Sequence, residues 1–385
     1  MHLRPFTLPC LLPCLLLLAG CASTPPVGLE LQARQLMQRE RVHGLAMAII
    51  DHGRITSVHA WGQRDVARGL PLQTDTIMYG ASLTKTAFAY MVLQLVDEGL
   101  LDLDASIATL LPKPLPAYRA KDHDYTDLAG DERWRAITPR MLLNHASGFA
   151  NFRFLEPDGR LRLHFAPGTR YAYSGEGIQL LQVVLEQGLG LDVGKEMQRR
   201  VFDRFGMRRT SMTWRPDFAA NLAHGYTVDG KLEEHDKRSR VRAAGSMDTT
   251  IADQARLWAG MVRGDGLSAR ARAELVRAQL PITSARQFPT LAPGAGIYHR
   301  TVGLAAGLGV VVYRDAQGSA WFKGGHNDST GNLAICQEWR RRCLVMLAND
   351  VRAERIYPEL ARLVLGDTRQ PWAWEYGPAT LARTP

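Results

Sequence analysis

One stretch of this chain brings the residues for nucleophilic chemistry close together: Ser82-Leu83-Thr84-Lys85. A serine hydroxyl attacks poorly until a base within hydrogen-bond reach takes its proton. On a helix, residues i and i+3 share a face, about 5–6 Å apart at Cβ. A lysine withdrawn from water at that spacing can lose its proton near neutral pH and accept one from the serine. The opening turn of such a helix also offers unbonded backbone N–H groups and the positive end of its dipole to a developing oxyanion. The chain holds one Ser-x-x-Lys. Alone, it fits a helix-capping serine beside a solvated lysine equally well.

The elements that must position this pair are legible in outline. Phe88, Met91, Val92, Leu95 and Val96 recur at helical spacing, which predicts a helix from Ser82 to about Glu98, stopped by Gly99. Upstream, the apolar runs 45–50 and 55–61 flank Asp51-His52-Gly53, a hairpin pattern. Residues from about 76 to 295 show helical patterns and loops, with Pro112, Pro114 and Pro116 marking an irregular connection. Strand patterns return at 304–313, at 320–322 and in the paired runs 333–335 and 344–347, and a final helix spans about 353–365. The expected fold is mixed α and β (α+β). An antiparallel sheet is built from N- and C-terminal strands and flanked by helices, with an inserted, mainly helical subdomain. The expected boundaries are 35–75 and 296–370 for the sheet, 76–295 for the insert and 371–385 for a C-terminal tail.

Four stretches in order carry a family resemblance. The first runs from Asp75 through Ser82-Leu83-Thr84-Lys85 to the exit at 95–103. The others are Thr138 to Gly148, Phe165 to Ser174, and Ala243 to Met247 continued by 249–253. Together they resemble the serine β-lactamase-like family, which includes class C β-lactamases, D,D-peptidases and related esterases. The resemblance covers about residues 35–365. It implies Ser82 as nucleophile, Lys85 as base and Tyr173 as the second-motif tyrosine, sharing a proton with both and passing it to the leaving group. Tyr171 is a rival whose offset from Pro167-Gly168 fits less well. The family's Tyr-x-Asn is here Tyr173-Ser174-Gly175, so the amide that would hold an acylamino group is missing, which argues against penicillin turnover. The third motif is matched best by His326-Asn327-Asp328-Ser329-Thr330-Gly331, with Asp328 where glycine is common. His326 then replaces the usual lysine, and the backbone N–H groups of Ser82 and Ser329 form the oxyanion hole. A shifted reading uses Lys323-Gly324-Gly325 but loses the Ser329-Thr330-Gly331 match. His145 reads as structural.

The N-terminus reads as an address. An uncharged run from Phe6 to Gly20 is shorter than the ~18–20 residues a membrane helix needs, and Pro9 and Pro13 interrupt it. Residues 1–20 therefore read as a signal peptide. Leu18-Ala19-Gly20-Cys21 resembles a bacterial lipobox, with Cys21 lipidated and 21–34 as lipidated N-terminus and tether. Ala22 favours the outer membrane in the Gram-negative lipoproteins it resembles, which puts the protein on the periplasmic face. Membrane contact then runs through the lipid anchor. Of five cysteines, Cys336 and Cys343 remain in the body of the chain, across a predicted hairpin. They are either disulfide-bonded, as an oxidising periplasm permits, or two buried thiols.

Composition narrows the partners. The net charge is +9, yet seven lysines stand against forty arginines with no basic run beyond Arg340-Arg341-Arg342, so nucleic acid is not expected. No CxxC or HExxH is present, and neither metal nor cofactor is called for. The expected substrate is a small-molecule ester, a β-lactam-like compound or a peptidoglycan-type peptide. The oligomeric state is not legible.

Overall fold

The computed structural model describes residues 28–381 except 122, 293, 295 and 296. Cys21, the signal segment and residues 21–27 of the expected tether lie outside the described residues, and 29–34 are helix rather than tether. Among the described residues no helix is long and apolar enough to cross a membrane.

The chain begins with helix α1 (Leu29–Glu40) and a hairpin of β1 (Gly44–Asp51) and β2 (Arg54–Asp65), followed by β3 (Leu70–Pro71). A long insertion follows, holding α2 (Leu83–Asp97), α3 (Gly175–Val183) and α4 (Ile251–Arg263). The sheet resumes with β4 (Leu280–Pro281), β5 (Ala305–Ala306), β6 (Val311–Asp315), β7 (Gly318–His326), β8 (Gly331–Gln337) and β9 (Arg342–Ala348). Nine strands lie in the order β4-β5-β6-β7-β8-β9-β1-β2-β3, every neighbour antiparallel. The two chain ends meet where β1 pairs with β9, Leu45 opposite Ala348. Antiparallel strands from both ends of the chain form one sheet, as expected.

Alternation sends successive side chains of each strand to opposite faces. Ala46, Ala48, Ile50, Val345 and Leu347 pack with α2 and α4 on one face. Leu45, Met47, Ile49, Leu344 and Met346 pack with α1 and α5 (Tyr357–Leu365) on the other. Helices on both faces explain why β1 and β9 read as unbroken apolar runs. Helix α2, buried from Leu83 to Leu95, forms the centre of the first layer.

Several boundaries differ from expectation. The predicted strand 304–313 is two strands, because the chain turns at Gly307-Leu308-Gly309 and Gly309 adopts φ +72°. The last helix opens as a 3-10 turn at Val351–Arg355 before α5, whose first turn contains Pro358, a residue that cannot continue a preceding helical ladder. The sheet resumes at Leu280 rather than near 296. Residues 371–381 are not a loose tail. They form α6 (Trp372–Tyr376) and a last short helix, Pro378–Leu381, and Trp374, Glu375 and Tyr376 are buried. Cys336 and Cys343 face each other across the β8–β9 hairpin and form a disulfide.

Candidate active site

The short strand Met78–Tyr79 pairs with Asp248–Thr249 and delivers the chain to α2. Gly80 N–H donates to Met247 O (2.8 Å), and Tyr79 Oη donates to Gly245 O (2.6 Å). Ala81 then takes φ +45°, a left-handed conformation that L-residues other than glycine avoid. This sharp turn presents Ser82 at the head of α2. Ser82 occupies the N-cap position, yet its hydroxyl makes no capping bond. It points instead at Lys85, whose Nζ lies 2.9 Å from Oγ. The capping-serine alternative is therefore not what the chain adopts.

Lys85 is buried, and its Nζ also donates to Ala244 O (2.5 Å). Loss of water pushes its pKa well below the usual lysine range, and the charge of Lys323 pushes it further. A neutral amine has one lone pair, and Ser82 Oγ is the group placed to donate to it. The stretch 243–247 thus holds both the amine and the turn that presents the serine.

Tyr173 comes from the loop before α3. Its ring lies 5.0 Å from Lys85 Nζ and 4.8 Å from Lys323 Nζ, and Lys323 Nζ is 3.4 Å from its Oη. Burial raises its pKa, opposed by a hydrogen bond with Ser82, so it stands as a phenol with a proton to give. Tyr171 instead donates to Gln287 Oε1 (3.0 Å), and Tyr173 is the tyrosine at Ser82. His145 packs against Tyr173 with ring centroids 4.5 Å apart and the ring planes tilted by 39°, and its Nδ1 accepts from Ser174 N–H (3.2 Å). Desolvation, then Lys323 and Lys85, hold its pKa well down, so the ring stays neutral and braces the tyrosine.

Gly175 also gains an explanation. A Cβ there would lie 2.3 Å from the Phe152 ring, so the ring occupies the place where the family carries an asparagine side chain. Ser174 caps α3 by accepting from Gly177 N–H (2.9 Å).

The third motif requires correction. Lys323, not His326, is the polar neighbour of Tyr173. Alternation along β7 is the reason: Lys323 and Gly325 face α2, and His326 faces the opposite side. There His326 Nδ1 pairs with Glu354 Oε1 (2.8 Å), and that carboxylate outweighs burial to raise the imidazole pKa. Lys323 Nζ also donates to Gly324 O (2.6 Å), and burial pushes its pKa down to about 8, against the pull of Glu375. Ser329 does not complete an oxyanion hole, because its N–H donates to Asn327 Oδ1 (3.1 Å) in the turn after β7. Asp328 lies exposed in the same turn. The geometry favours a different donor. Asn327 N–H points to Thr330 O, at the entry to β8, so the preceding N–H, that of His326, points away from β8. Gly325 brings this edge against the nucleophile turn. A Cβ on it would lie 2.9 Å from Leu83 N and 3.0 Å from Ser82 N.

These groups open on a cavity of about 970 Å³ whose lining includes Ser82, Tyr173, Lys323, His326 and Glu375. The arrangement is chemically able to take a proton from a serine, hold an oxyanion and return a proton to a leaving group. Glu375 went unnoticed in the sequence because it follows the last recognised helix. The aromatic cluster Trp372-Ala373-Trp374-Glu375-Tyr376 was the available signal of burial. Lys323 was signalled by being the one charge in the run from Ala320 to Gly325.

Several known proteins resemble this chain. Monacolin J acid methylbutanoyltransferase from Aspergillus terreus is 29% identical over 256 residues, covering 57% of this chain and 60% of that protein. Lovastatin esterase from Penicillium rubens is 28% identical over 265 residues (59% and 66%). A D-aminopeptidase from Gluconobacter oxydans is 28% identical over 173 residues (43% and 32%). The chain thus spans less than two thirds of each of these relatives. The octameric penicillin-binding protein homologue from Pyrococcus abyssi superposes with TM-score 0.71 at 19% identity, over 90% of this chain and 79% of that one, a likeness of fold. The Beta-lactamase family model matches residues 30–367, and the chain belongs to that family.

Proposed function

We propose that this chain is a serine hydrolase that acts through an acyl-enzyme on Ser82, with an ester, a small amide or a D-amino-acid peptide as substrate. The observation that carries this reading is the buried amine of Lys85, 2.9 Å from a serine hydroxyl free of any capping bond. Ser82 Oγ attacks the substrate carbonyl carbon while its proton passes to Lys85 Nζ. The carbonyl oxygen becomes an oxyanion held by the N–H groups of Ser82 and His326. The Tyr173 phenol gives its proton to the leaving oxygen or nitrogen and recovers one from Lys85. Water then attacks the acyl carbon and releases the acid. No metal or cofactor enters these steps. Relatives named as an esterase and a D-aminopeptidase support the substrate range. The Phe152 ring over Gly175 supports esters over acylamino-bearing β-lactams. The lipobox-like Cys21 supports attachment to the periplasmic face of the outer membrane.

A panel of p-nitrophenyl esters, D-amino-acid amides, D-Ala-D-Ala peptides and nitrocefin tests the reading. Ser82-dependent turnover of esters or amides is expected. Preferred turnover of nitrocefin or D-Ala-D-Ala would make the chain a β-lactamase or D,D-carboxypeptidase. Absence of turnover and of fluorophosphonate labelling would leave a non-catalytic binding lipoprotein.

The two lysines predict a pH profile. Lys85 acts deprotonated, so kcat/KM rises as pH climbs through its depressed pKa. Lys323, as an ammonium, helps keep Lys85 neutral and donates to Tyr173 Oη, so kcat/KM falls as pH passes about 8 and that charge is lost. In Lys323→Met, the charge that depresses Lys85 is gone. The rising limb then moves to higher pH and the falling limb disappears, which a pH–rate series on one ester checks.

A further inference from the structure

The C-terminal helix α6 carries a carboxylate into the cavity. Its placement is fixed on several sides. Gln287 N–H donates to Trp374 O (2.9 Å), Trp374 Nε1 donates to Ser284 Oγ (3.3 Å), and the Trp374 ring packs on Tyr171 and Phe322. Glu375 Oε2 accepts from Gln287 Nε2 (2.7 Å), and Gln287 in turn accepts from Tyr171. Glu375 Oε1 accepts no hydrogen bond from a described residue. It stands over Gly324, where a Cβ would lie 1.9 Å from it, so a side chain there would displace this carboxylate. Gly324 lies between Lys323 and Gly325, the residue that packs on the Ser82 peptide. Although Gly324 and Gly325 face opposite sides of β7, Ser82, Gly324 and Glu375 all line the one cavity, so a substrate bound at Ser82 shares that cavity with Glu375.

We propose that Glu375 is a specificity-determining residue that turns the β7 side of the cavity against substrates bearing a carboxylate near the scissile carbonyl and favours uncharged esters and amides. This rests on the hydrolase reading above and names its substrate class. Two effects act together. Burial raises the Glu375 pKa, opposed by the charges of Lys323 and His326, and the ionised form that these cations favour repels a second carboxylate in a site shielded from water. Lys323, the cation that could attract it, is already balanced by Glu375 and has committed two donors, to Gly324 O and Tyr173 Oη. Removing the Glu375 charge would both lift the repulsion and leave the ammonium unbalanced. The other acid on this side, Glu354, is occupied by His326.

The test compares p-nitrophenyl butyrate with p-nitrophenyl hemisuccinate, matched in leaving group and differing in the acyl-end charge. Wild type should prefer the neutral ester. In Glu375→Gln, which keeps an acceptor for Gln287 Nε2, the kcat/KM ratio of anionic to neutral ester should rise about 10–100-fold. Glu375→Asp, which keeps the charge, should retain the neutral preference. An unchanged ratio in Glu375→Gln would overturn the proposal while leaving the hydrolase reading intact. Failure of wild type to cleave either ester would overturn this proposal, and absence of fluorophosphonate labelling as well would sink the hydrolase reading with it. Should Glu375→Gln fold poorly in a thermal melt, inhibition of wild type decides. Phenylboronic acid should inhibit more strongly than 3-carboxyphenylboronic acid, and equal or reversed potency would overturn the proposal.

Discussion

Lys85→Met should lower kcat/KM on any substrate of this chain by about 10⁴-fold, the scale seen when the base of a nucleophile–base pair is removed. The substitution keeps length and loses the amine. Lys85 lies fully within the protein on α2, in the layer formed by Leu83, Ala87 and Phe88. A thioether is at home in such surroundings, whereas an amine must surrender its hydration. The melting temperature of Lys85→Met should therefore hold or rise while the activity disappears. If Lys85 merely tied α2 to Ala244 O, the reverse pattern would appear: a lower melting temperature with activity largely kept. Kinetics and a thermal melt on the same preparation distinguish the two.

Gly325→Ala should lower kcat by about 10²–10³-fold, the scale for losing one oxyanion donor. The new methyl carbon would lie 2.9 Å from Leu83 N, 3.0 Å from Ser82 N and 3.1 Å from Gly80 O. All three are backbone atoms of the turn that presents the nucleophile, and none can swing aside as a side-chain end could. Either β7 moves away from α2 or the turn does, and the N–H groups of His326 and Ser82 no longer converge on one oxygen. Acylation should slow while substrate affinity changes little, so KM should shift far less than kcat. A normal kcat in Gly325→Ala would remove His326 N–H from the oxyanion hole. A parallel thermal melt reports whether the loss reflects the site or the fold.

Much of this architecture was legible because its signals are local. Ser82 and Lys85 are three residues apart, and the helix that unites them is mostly apolar and is buried from Leu83 to Leu95. The strands 44–51 and 342–348 read as apolar runs because helices cover both their faces. The relation of His326 to Lys323 was not legible, because a three-residue shift in a strand also reverses the face. Deciding between them needs the register of β7 against α2, a tertiary fact that Gly325 and the Ser82 turn establish. Ser329 failed as a donor for a similar reason: the Asn327 side chain reaches its N–H within the turn. Gly175 looked like a missing amide in the sequence. In the fold it is the seat of the Phe152 ring, brought there from more than twenty positions upstream. Glu375 was the least visible, since nothing near it in sequence shows that the end of the chain returns to Gly324.

The central claim is that Ser82 Oγ becomes acylated with Lys85 as the proton acceptor. Intact-mass spectrometry after brief reaction with a fluorophosphonate or an activated ester tests it directly. Wild type should gain one adduct, mapped to the peptide containing Ser82, at a rate that rises with pH. Lys85→Met should gain it slowly, and Ser82→Ala should gain none. An adduct that persists in Ser82→Ala, or labelling of Lys85→Met as fast as wild type, would contradict the account.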